Sequence, residues 1–170
     1  LDVFAIDADG LTVERSWAHV GTVLFGLAVD PRSGRIWVAN TEARNDIRFE
    51  GPGVRGGSTV LGRAHESRIT VLDGDDVRPR HLNPHIDYDV VPAPDGVAER
   101  SLATPVAVAT SSDGATLYVA AFGSAKVGVL SAAALDAGTL VPDAADHVAV
   151  SGGGPSGPVL DEARGRLYVL

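Results

Sequence analysis

The amino-acid sequence predicts an all-β protein made of repeated antiparallel hairpins. A strand–turn–strand pattern at residues 26–38 aligns without a gap on residues 157–169, and a third copy occupies 105–119. Each copy has a glycine in its turn, where hairpins require positive φ, and each second strand ends in an aliphatic–aromatic–valine sequence. A supersecondary unit that recurs in this way is typical of repeat proteins, whose units pack on one another.

A second hairpin follows each complete copy, so the repeating unit contains four antiparallel strands. The expected strands are near 2–7, 11–17, 24–30, 35–40, 67–73, 77–82, 105–110, 116–121, 125–130, 139–141, 157–161 and 166–170. Without the inserts at 41–66 and 83–104, the unit is about 45 residues long, which is the usual period of a propeller blade. A helix signal occurs at residues 131–138, with Ser131 as the N-cap and Gly138 just past the end.

The repeats divide the chain into parts of a single incomplete β-propeller domain, residues 1–170. The parts are the end of one blade at 1–20, a blade with insert 41–66 at 21–83, a blade preceded by insert 83–104 at 84–142, and a connection with the first hairpin of the next blade at 143–170. We therefore expect a fragment of a larger ring; seven is the expected number of blades, which the two complete units do not themselves determine. The remaining blades of the same chain are its expected packing partners, because a blade buries its faces only against its neighbours.

The composition excludes several classes of function. The chain has 14 basic and 22 acidic residues and a net charge of −8, which argues against a nucleic-acid-binding surface. Its apolar runs are far shorter than the ~20 residues of a membrane-spanning helix, so no membrane span is expected. The sequence contains no cysteine. Disulfides, zinc–thiolate sites and covalent haem attachment within these residues are therefore excluded.

The ends of the second strands carry a resemblance to a known family. Residues 37–40 read Trp-Val-Ala-Asn, and residues 118–121 read Tyr-Val-Ala-Ala, so that Ala121 replaces the asparagine. Together with the turns, these sequences resemble the YVTN-repeat β-propellers, the surface-layer or lactonase-like superfamily. The resemblance implies a propeller fold and leaves the function open, because many activities share that fold.

A narrower similarity concerns three stretches, at residues 40–49, 81–89 and 117–126. They are similar to bacterial envelope propellers that are joined to a c-type haem domain. This similarity implies an exported, multidomain electron-transfer protein, located in the periplasm or at the cell surface. Because Cys-x-x-Cys-His is absent here, the haem domain would be a partner that follows Leu170.

The insert 83–104 begins with the densest group of candidate metal ligands. His85, Asp87 and Asp89 share one side of an extended chain, and imidazole and carboxylate groups bind divalent cations. Two neighbouring carboxylates repel each other, and a cation would relieve that repulsion. Pairing with Arg80 or Arg100, or simple solvation, is the alternative explanation. We therefore name these three residues as a candidate site for a divalent cation.

Two function hypotheses follow. In a four-stranded meander, the loops after the second and fourth strands leave the same edge, so inserts 41–66 and 83–104 are expected on one face. The first hypothesis is a scaffold or binding module that presents these loops to a partner domain or ligand. The alternative is the propeller part of an enzyme, either a c-type haem oxidoreductase or a metal-dependent lactonase-like hydrolase. The sequence identifies no catalytic residue and no cofactor-binding residue, and a Gly-x-Ser-x-Gly nucleophile motif is absent.

Overall fold

The computed structural model describes residues 1–44, 50–51, 59–60, 64–90 and 92–170. Much of insert 41–66 lies outside these residues. The strands are β1 Val3–Ile6, β2 Val13–Trp17, β3 Val23–Val29, β4 Ile36–Ala43, β5 Glu50–Gly51, β6 Thr59–Val60, β7 His65–Asp73, β8 Asp76–His81, β9 Pro105–Thr110, β10 Thr116–Ala121, β11 Lys126–Ser131, β12 His147–Ala149, β13 Val159–Asp161 and β14 Arg166–Tyr168. The α-helix α1 spans Ala132–Ala137, and short 3-10 turns occur at Phe122–Ser124, Ala144–Asp146 and Glu162–Arg164. The predicted all-β class is confirmed.

The strands form two four-stranded antiparallel meanders with a two-stranded hairpin at each end of the chain. The first blade has the strand order β3-β4-β7-β8, and the second blade has the order β9-β10-β11-β12. The N-terminal hairpin pairs β1 with β2, the C-terminal hairpin pairs β13 with β14, and β5 and β6 form a separate ribbon. These sheets are propeller-like blades, and the described residues do not complete a ring.

The turns follow the sequence signals. Gly34, Gly114 and Gly165 occupy the turns of the three copies with φ of 75°, 70° and 59°, as expected for hairpin turns. The Ser131 side chain accepts a hydrogen bond from the Ala134 amide at the start of α1, and Gly138 ends the helix in the left-handed conformation with φ of 70°. Both predictions about these local signals are confirmed.

The predicted position of one strand is wrong. The sequence placed the fourth strand of the second blade at 139–141, whereas the structure places it at β12, residues 147–149. Leu140 instead packs against the core, and Pro142 has no amide proton to give to a β-ladder. The Asp143 side chain then caps a 3-10 turn, and β12 pairs with Lys126–Gly128 of β11. The blade's fourth strand therefore lies beyond residue 142.

The main hydrophobic core is shared by the two blades. Its largest buried side chains are Trp37, Ile69, Leu82, Leu102, Leu117 and Leu135. A close approach of β3 to β9 depends on Gly26, where a Cβ atom would lie 3.0 Å from the Val106 carbonyl oxygen. A second cluster joins the N-terminal hairpin to the first blade through Val3, Trp17, Val20, Val38 and Leu72. Each sheet thus depends on its neighbour for burial, as expected of blades.

An ion-pair network also joins the two blades. Asp136 of α1 accepts hydrogen bonds from Arg78 Nε at 3.1 Å and Nη2 at 2.9 Å, and its second oxygen lies 3.2 Å from Arg35 Nη1. Both arginines also contact Asp73, with Nε of Arg35 at 2.9 Å. These contacts hold the helix of the second blade against the first blade.

Among the described residues, no helix has the length and apolar character that crossing a membrane requires.

Candidate functional site

The long connections of both blades lie at one end of the strands. The β4–β7 connection and the β8–β9 connection leave the sheet at the same end of the strands, because alternate loops of an antiparallel meander do so. The short turns at 30–35, 74–75 and 111–115 lie at the opposite edge. We call the first edge the long-loop face; it comprises residues 41–44, 64–66 and 82–104 together with the ends of the strands they join. For the described residues, both inserts lie on one face, as the strand order predicted.

The base of the 83–104 loop is closed by a reciprocal pair of hydrogen bonds. The Asn83 side-chain amide donates to the Leu102 carbonyl at 2.8 Å, and the Leu102 amide donates to Asn83 Oδ1 at 2.8 Å. Both residues are buried. The Leu102 side chain fills space beside Gly128, where a Cβ atom would lie 2.5 Å from Leu102 Cδ1. The two ends of the loop are therefore fixed to the second blade.

The part of the same loop that directly precedes Leu102 is held by the single lysine of the chain. Lys126 Nζ donates to the carbonyl oxygens of Ala98 at 2.9 Å, Glu99 at 2.8 Å and Ser101 at 3.4 Å. An ammonium group has three protons to donate, and three carbonyl oxygens surround it. No local pattern in the sequence indicates this contact, because it depends on a loop folding back over β11. Residues 98–101 are therefore held against the second blade.

Arg68 occupies the equivalent position in the first blade. In the strand registers Arg68 faces Asn40, as Lys126 faces Ala121. Arg68 Nη2 lies 3.0 Å from Glu42 Oε2, and the same carboxylate oxygen accepts a hydrogen bond from Thr22 Oγ1 at 3.1 Å. The two blades therefore carry a cation at the same place. In the first blade it pairs with a carboxylate at the base of insert 41–66.

The asparagine of the YVTN-like sequence has a structural role. Asn40 is fully buried, and its Nδ2 donates to the Val38 carbonyl and to Thr70 Oγ1, each at 2.9 Å. The Thr70 hydroxyl in turn donates to the Val20 carbonyl at 2.7 Å. This chain of hydrogen bonds ties β4 and β7 to the connection from the preceding hairpin. A buried donor with all its bonds satisfied stabilises the sheet and leaves no group free for a ligand.

The second blade replaces that polar chain with apolar packing. Ala121 stands at the position of Asn40, and Gly128 stands at the position of Thr70. Leu102 occupies the space that Gly128 leaves. Losing the amide and the hydroxyl together leaves neither group buried without a partner. The departure from the repeat pattern at Ala121 therefore has a structural reason.

The structure separates the candidate metal ligands. His85 turns toward its own loop, with Nε2 at 3.1 Å from Ser101 Oγ and 3.3 Å from the Val97 carbonyl oxygen. Asp87 and Asp89 are exposed, and Asp87 Oδ1 accepts a hydrogen bond from the Asp89 amide at 3.0 Å. In the part of the chain that is described, no group of three His, Cys, Asp or Glu side chains is close enough to hold a metal ion. The cation site at these three residues stays a prediction.

The surroundings of His85 favour its neutral form. Burial lowers the pKa of His85 from its ordinary value, the hydrogen bond with Val97 opposes this change, and the nearby Arg100 charge lowers the pKa further. Neutral imidazole is the form that binds metals.

Arg80 and Arg100, the alternative partners of the two carboxylates, donate from Nε to the carbonyl oxygens of Asp136 and Gly96.

The fold and the long-loop face define an all-β protein with propeller-like blades. No protein-family model matches the chain, and no curated protein matches it. A solved structure, hydrazine synthase from Kuenenia stuttgartiensis, superposes with a TM-score of 0.61 and 17% sequence identity over 97% of this chain and 50% of that chain. At this identity the likeness shows the fold alone, and the chain spans about half the length of the chain it matches. The likeness supports a propeller-like fold and does not distinguish the YVTN family from other propellers.

Proposed function

We propose that the chain is a β-propeller scaffold or binding module of an exported bacterial protein, which presents loops 41–66 and 83–104 on one face. The observation that carries the proposal is the shared position of the two loop bases at one end of the strands. Loops on one edge of a rigid scaffold are the usual place for binding groups. The partner is a further domain of the same protein or a ligand that contacts both loops.

The anchoring of the 83–104 loop favours binding. Asn83 closes the base of the loop, and Lys126 holds three carbonyl groups of residues 98–101, so this part of the loop is held in place before any partner arrives. A preordered loop loses little conformational entropy when it binds, and this improves affinity. The exposed side chains of Asp87 and Asp89 give this part of the face an acidic character. A partner with basic or hydrogen-bond-donating groups fits it best.

Site-specific photocrosslinking tests the proposal. A photoreactive residue is introduced at Asp89 on the long-loop face or at Asp75, whose side chain is 95% exposed on the opposite edge. Both variants are made in the full-length protein and irradiated in the cells that produce it. The proposal expects one discrete adduct, either a second protein or a domain of the same chain, from Asp89 alone. The same adducts from both positions, or none from Asp89, would contradict it.

The second candidate is the propeller part of an enzyme. Its support is the structural neighbour, which is an enzyme by name, together with the resemblance to haem-linked envelope propellers and to lactonase-like propellers. In the haem version, the haem domain lies outside these 170 residues. The absorbance spectrum of the full-length protein and its turnover of simple lactones, with and without a chelator, test this candidate. A colourless protein that hydrolyses no lactone would eliminate both versions.

The cation site is proposed as a feature of the same face. His85, Asp87 and Asp89 would have to come together, which requires the His85 ring to leave Ser101. Calorimetric titration of the full-length protein with calcium and with zinc measures the binding. We expect heat that disappears in the Asp87→Ala plus Asp89→Ala variant. Titrations without heat, or with unchanged heat in the variant, would end this proposal.

A further inference from the structure

Residues 97–101 lie against the outer part of the second blade, where a histidine and a lysine hold the same carbonyl group. His147 Nδ1 of β12 lies 3.2 Å from the Glu99 carbonyl oxygen, and Lys126 Nζ of β11 lies 2.8 Å from it. Lys126 and His147 lie on paired strands, since Lys126 pairs with Ala149 and Gly128 pairs with His147. The segment is therefore clamped to the blade by two side chains that meet at Glu99.

The geometry determines where the proton of the His147 ring lies. A carbonyl oxygen only accepts hydrogen bonds, so Nδ1 must carry the proton that is donated to Glu99. In the neutral ring Nε2 is then unprotonated. Nε2 is buried and has no hydrogen-bond partner among the described residues. A second proton on the ring would have to sit on this buried atom.

Protonation of His147 conflicts with the clamped arrangement. The new N–H group would be buried without an acceptor, which costs free energy unless the segment moves. The positive ring would also lie near the Lys126 ammonium, whereas Asp146 and Asp143 on the turn before β12 favour the charge. Burial is the largest effect and lowers the pKa of His147, the hydrogen bond to Glu99 raises it, Lys126 lowers it, and the two aspartates raise it.

We propose that residues 97–101 form a proton-sensitive latch on the long-loop face, which is closed when His147 is neutral and released when the ring is protonated. The latch is independent of what the face binds. Release separates the Glu99 carbonyl from His147 and shifts residues 97–101, which changes the shape of the 83–104 loop. The pH of the surroundings therefore changes the surface that the 83–104 loop presents.

The direction follows from proton linkage. The closed latch holds one proton fewer than the released latch, so closing is favoured as the pH rises. Above the ordinary histidine value of 6.5 the equilibrium for closing is at its maximum, and it weakens as the pH falls below that value. One proton changes the closing equilibrium by at most about tenfold per pH unit. Below the lowered pKa of the closed state the dependence ends.

Hydrogen–deuterium exchange of the full-length protein between about pH 5 and pH 8 tests the latch. The readout is the protection of peptides covering residues 95–103, corrected for the intrinsic rate at each pH. In the wild-type protein we expect protection to fall in acid, with a slope approaching tenfold per unit. In the His147→Gln variant, whose amide can still donate to Glu99 but takes up no proton, we expect a clearly shallower slope than in the wild type. His19→Gln, at an exposed histidine of the connection between β2 and β3, is the matched control and should retain the wild-type slope.

The outcomes are decisive in either direction. A wild-type slope in His147→Gln overturns the latch, and so does a flat wild-type profile. His85, which contacts the same segment through Val97 and Ser101, is unchanged in both proteins and so cannot produce a difference between them. If the variant loses protection throughout the chain, NMR titration of His147 in the wild type decides instead. A pKa at or above 6.5 would then contradict the proposal.

Discussion

The interface between the two blades and the free side of the C-terminal hairpin carry the same sequence pattern in different surroundings. Trp37, Tyr118 and Tyr168 stand at equivalent positions of the three copies. Trp37 is 1% exposed beneath the second blade, Tyr118 is partly buried beside Leu160 and Leu167 of the C-terminal hairpin, and Tyr168 is 51% exposed. No described sheet covers Tyr168. The repeat therefore specifies a hairpin, whereas the neighbouring sheet determines how much each aromatic residue stabilises it.

We expect the largest change in stability at Trp37, in the interface between the blades, and a small change at Tyr168, on the free side of the C-terminal hairpin. Trp37→Ala should reduce the free energy of unfolding by about 3–5 kcal/mol, because it empties a large volume in the shared core. Tyr168→Ala should change it by about 0.5 kcal/mol or less, as surface substitutions do. Urea denaturation of the two variants measures both values. Equal losses would show that another sheet covers Tyr168 in solution.

A conservative variant separates the contribution of the indole N–H group of Trp37 from that of its apolar contacts. The indole Nε1 is buried without a hydrogen-bond partner among the described residues. Trp37→Phe removes that unpaired donor and retains most of the apolar contact, so it should cost clearly less than Trp37→Ala. A phenylalanine variant as unstable as the alanine variant would indicate that indole Nε1 has a partner in solution.

The next largest effect compares the polar interior of the first blade with the apolar interior of the second. Asn40→Ala should destabilise the protein by about 1–3 kcal/mol, because it leaves buried groups of Val38 and Thr70 without their partner. Thr70→Val interrupts the same chain at its link to Val20. The double variant should cost less than the sum of the two single variants. Additive losses would mean that the three groups do not act as one network.

A smaller effect compares two turns that have the same backbone conformation. Both Gly34 and Gly114 have positive φ, which costs an L-residue about 1–2 kcal/mol. At Gly114 a Cβ atom would also lie 2.5 Å from Asp30 Oδ1, whereas at Gly34 no described atom lies within 4 Å. Asp30 is held by the Arg32 amide and the Ser33 hydroxyl. Gly114→Ala should therefore lower the melting temperature more than Gly34→Ala, and the reverse order would contradict this packing of the two turns.

The smallest effect concerns the ion-pair network between the blades. Hydrogen bonds from Arg35 and then Arg78 lower the pKa of Asp73 from its ordinary value of 3.8. A lowered carboxyl pKa adds stability above that value, and this stability is lost as the pH falls through the lowered pKa. Asp136→Asn should weaken the network only slightly, because its members are partly exposed to solvent. The difference from the wild type should shrink at about 1 M salt, and a salt-independent difference would point to packing instead.

The sequence predicted the hairpins well because their signals are local. Turn glycines, the Ser131 cap and the alternation of apolar residues act within a few residues, and the structure agrees at each of these points. The prediction for 139–141 failed because a short apolar stretch can form a strand or can pack into the core outside any strand, and its sequence does not distinguish the two. There Leu140 packs into the core, and the edge of β11 pairs with a later segment, β12.

The sequence predicted where the long-loop face lies, but it did not predict the contacts that shape this face. Strand order alone placed the two inserts on one face. The contacts that shape that face join residues far apart in the chain, such as Lys126 with Glu99, Asn83 with Leu102 and His147 with Glu99. The equivalence of Arg68 and Lys126 was visible in the aligned repeats, and it is the one signal that could have indicated a cation at that position.

The repeat, the chemistry of strands and turns, and the strand ends from which each loop leaves follow from the amino-acid sequence. These properties depend on backbone preferences and on the alternation of side chains, which neighbouring residues control. Packing between distant segments places Trp37 in the core and leaves Tyr168 exposed. It also turns His85 toward its own loop and brings Lys126 to the 97–101 segment. These outcomes depend on which surfaces meet, because burial and hydrogen-bond pairing are properties of two contacting elements and cannot be read from either one alone.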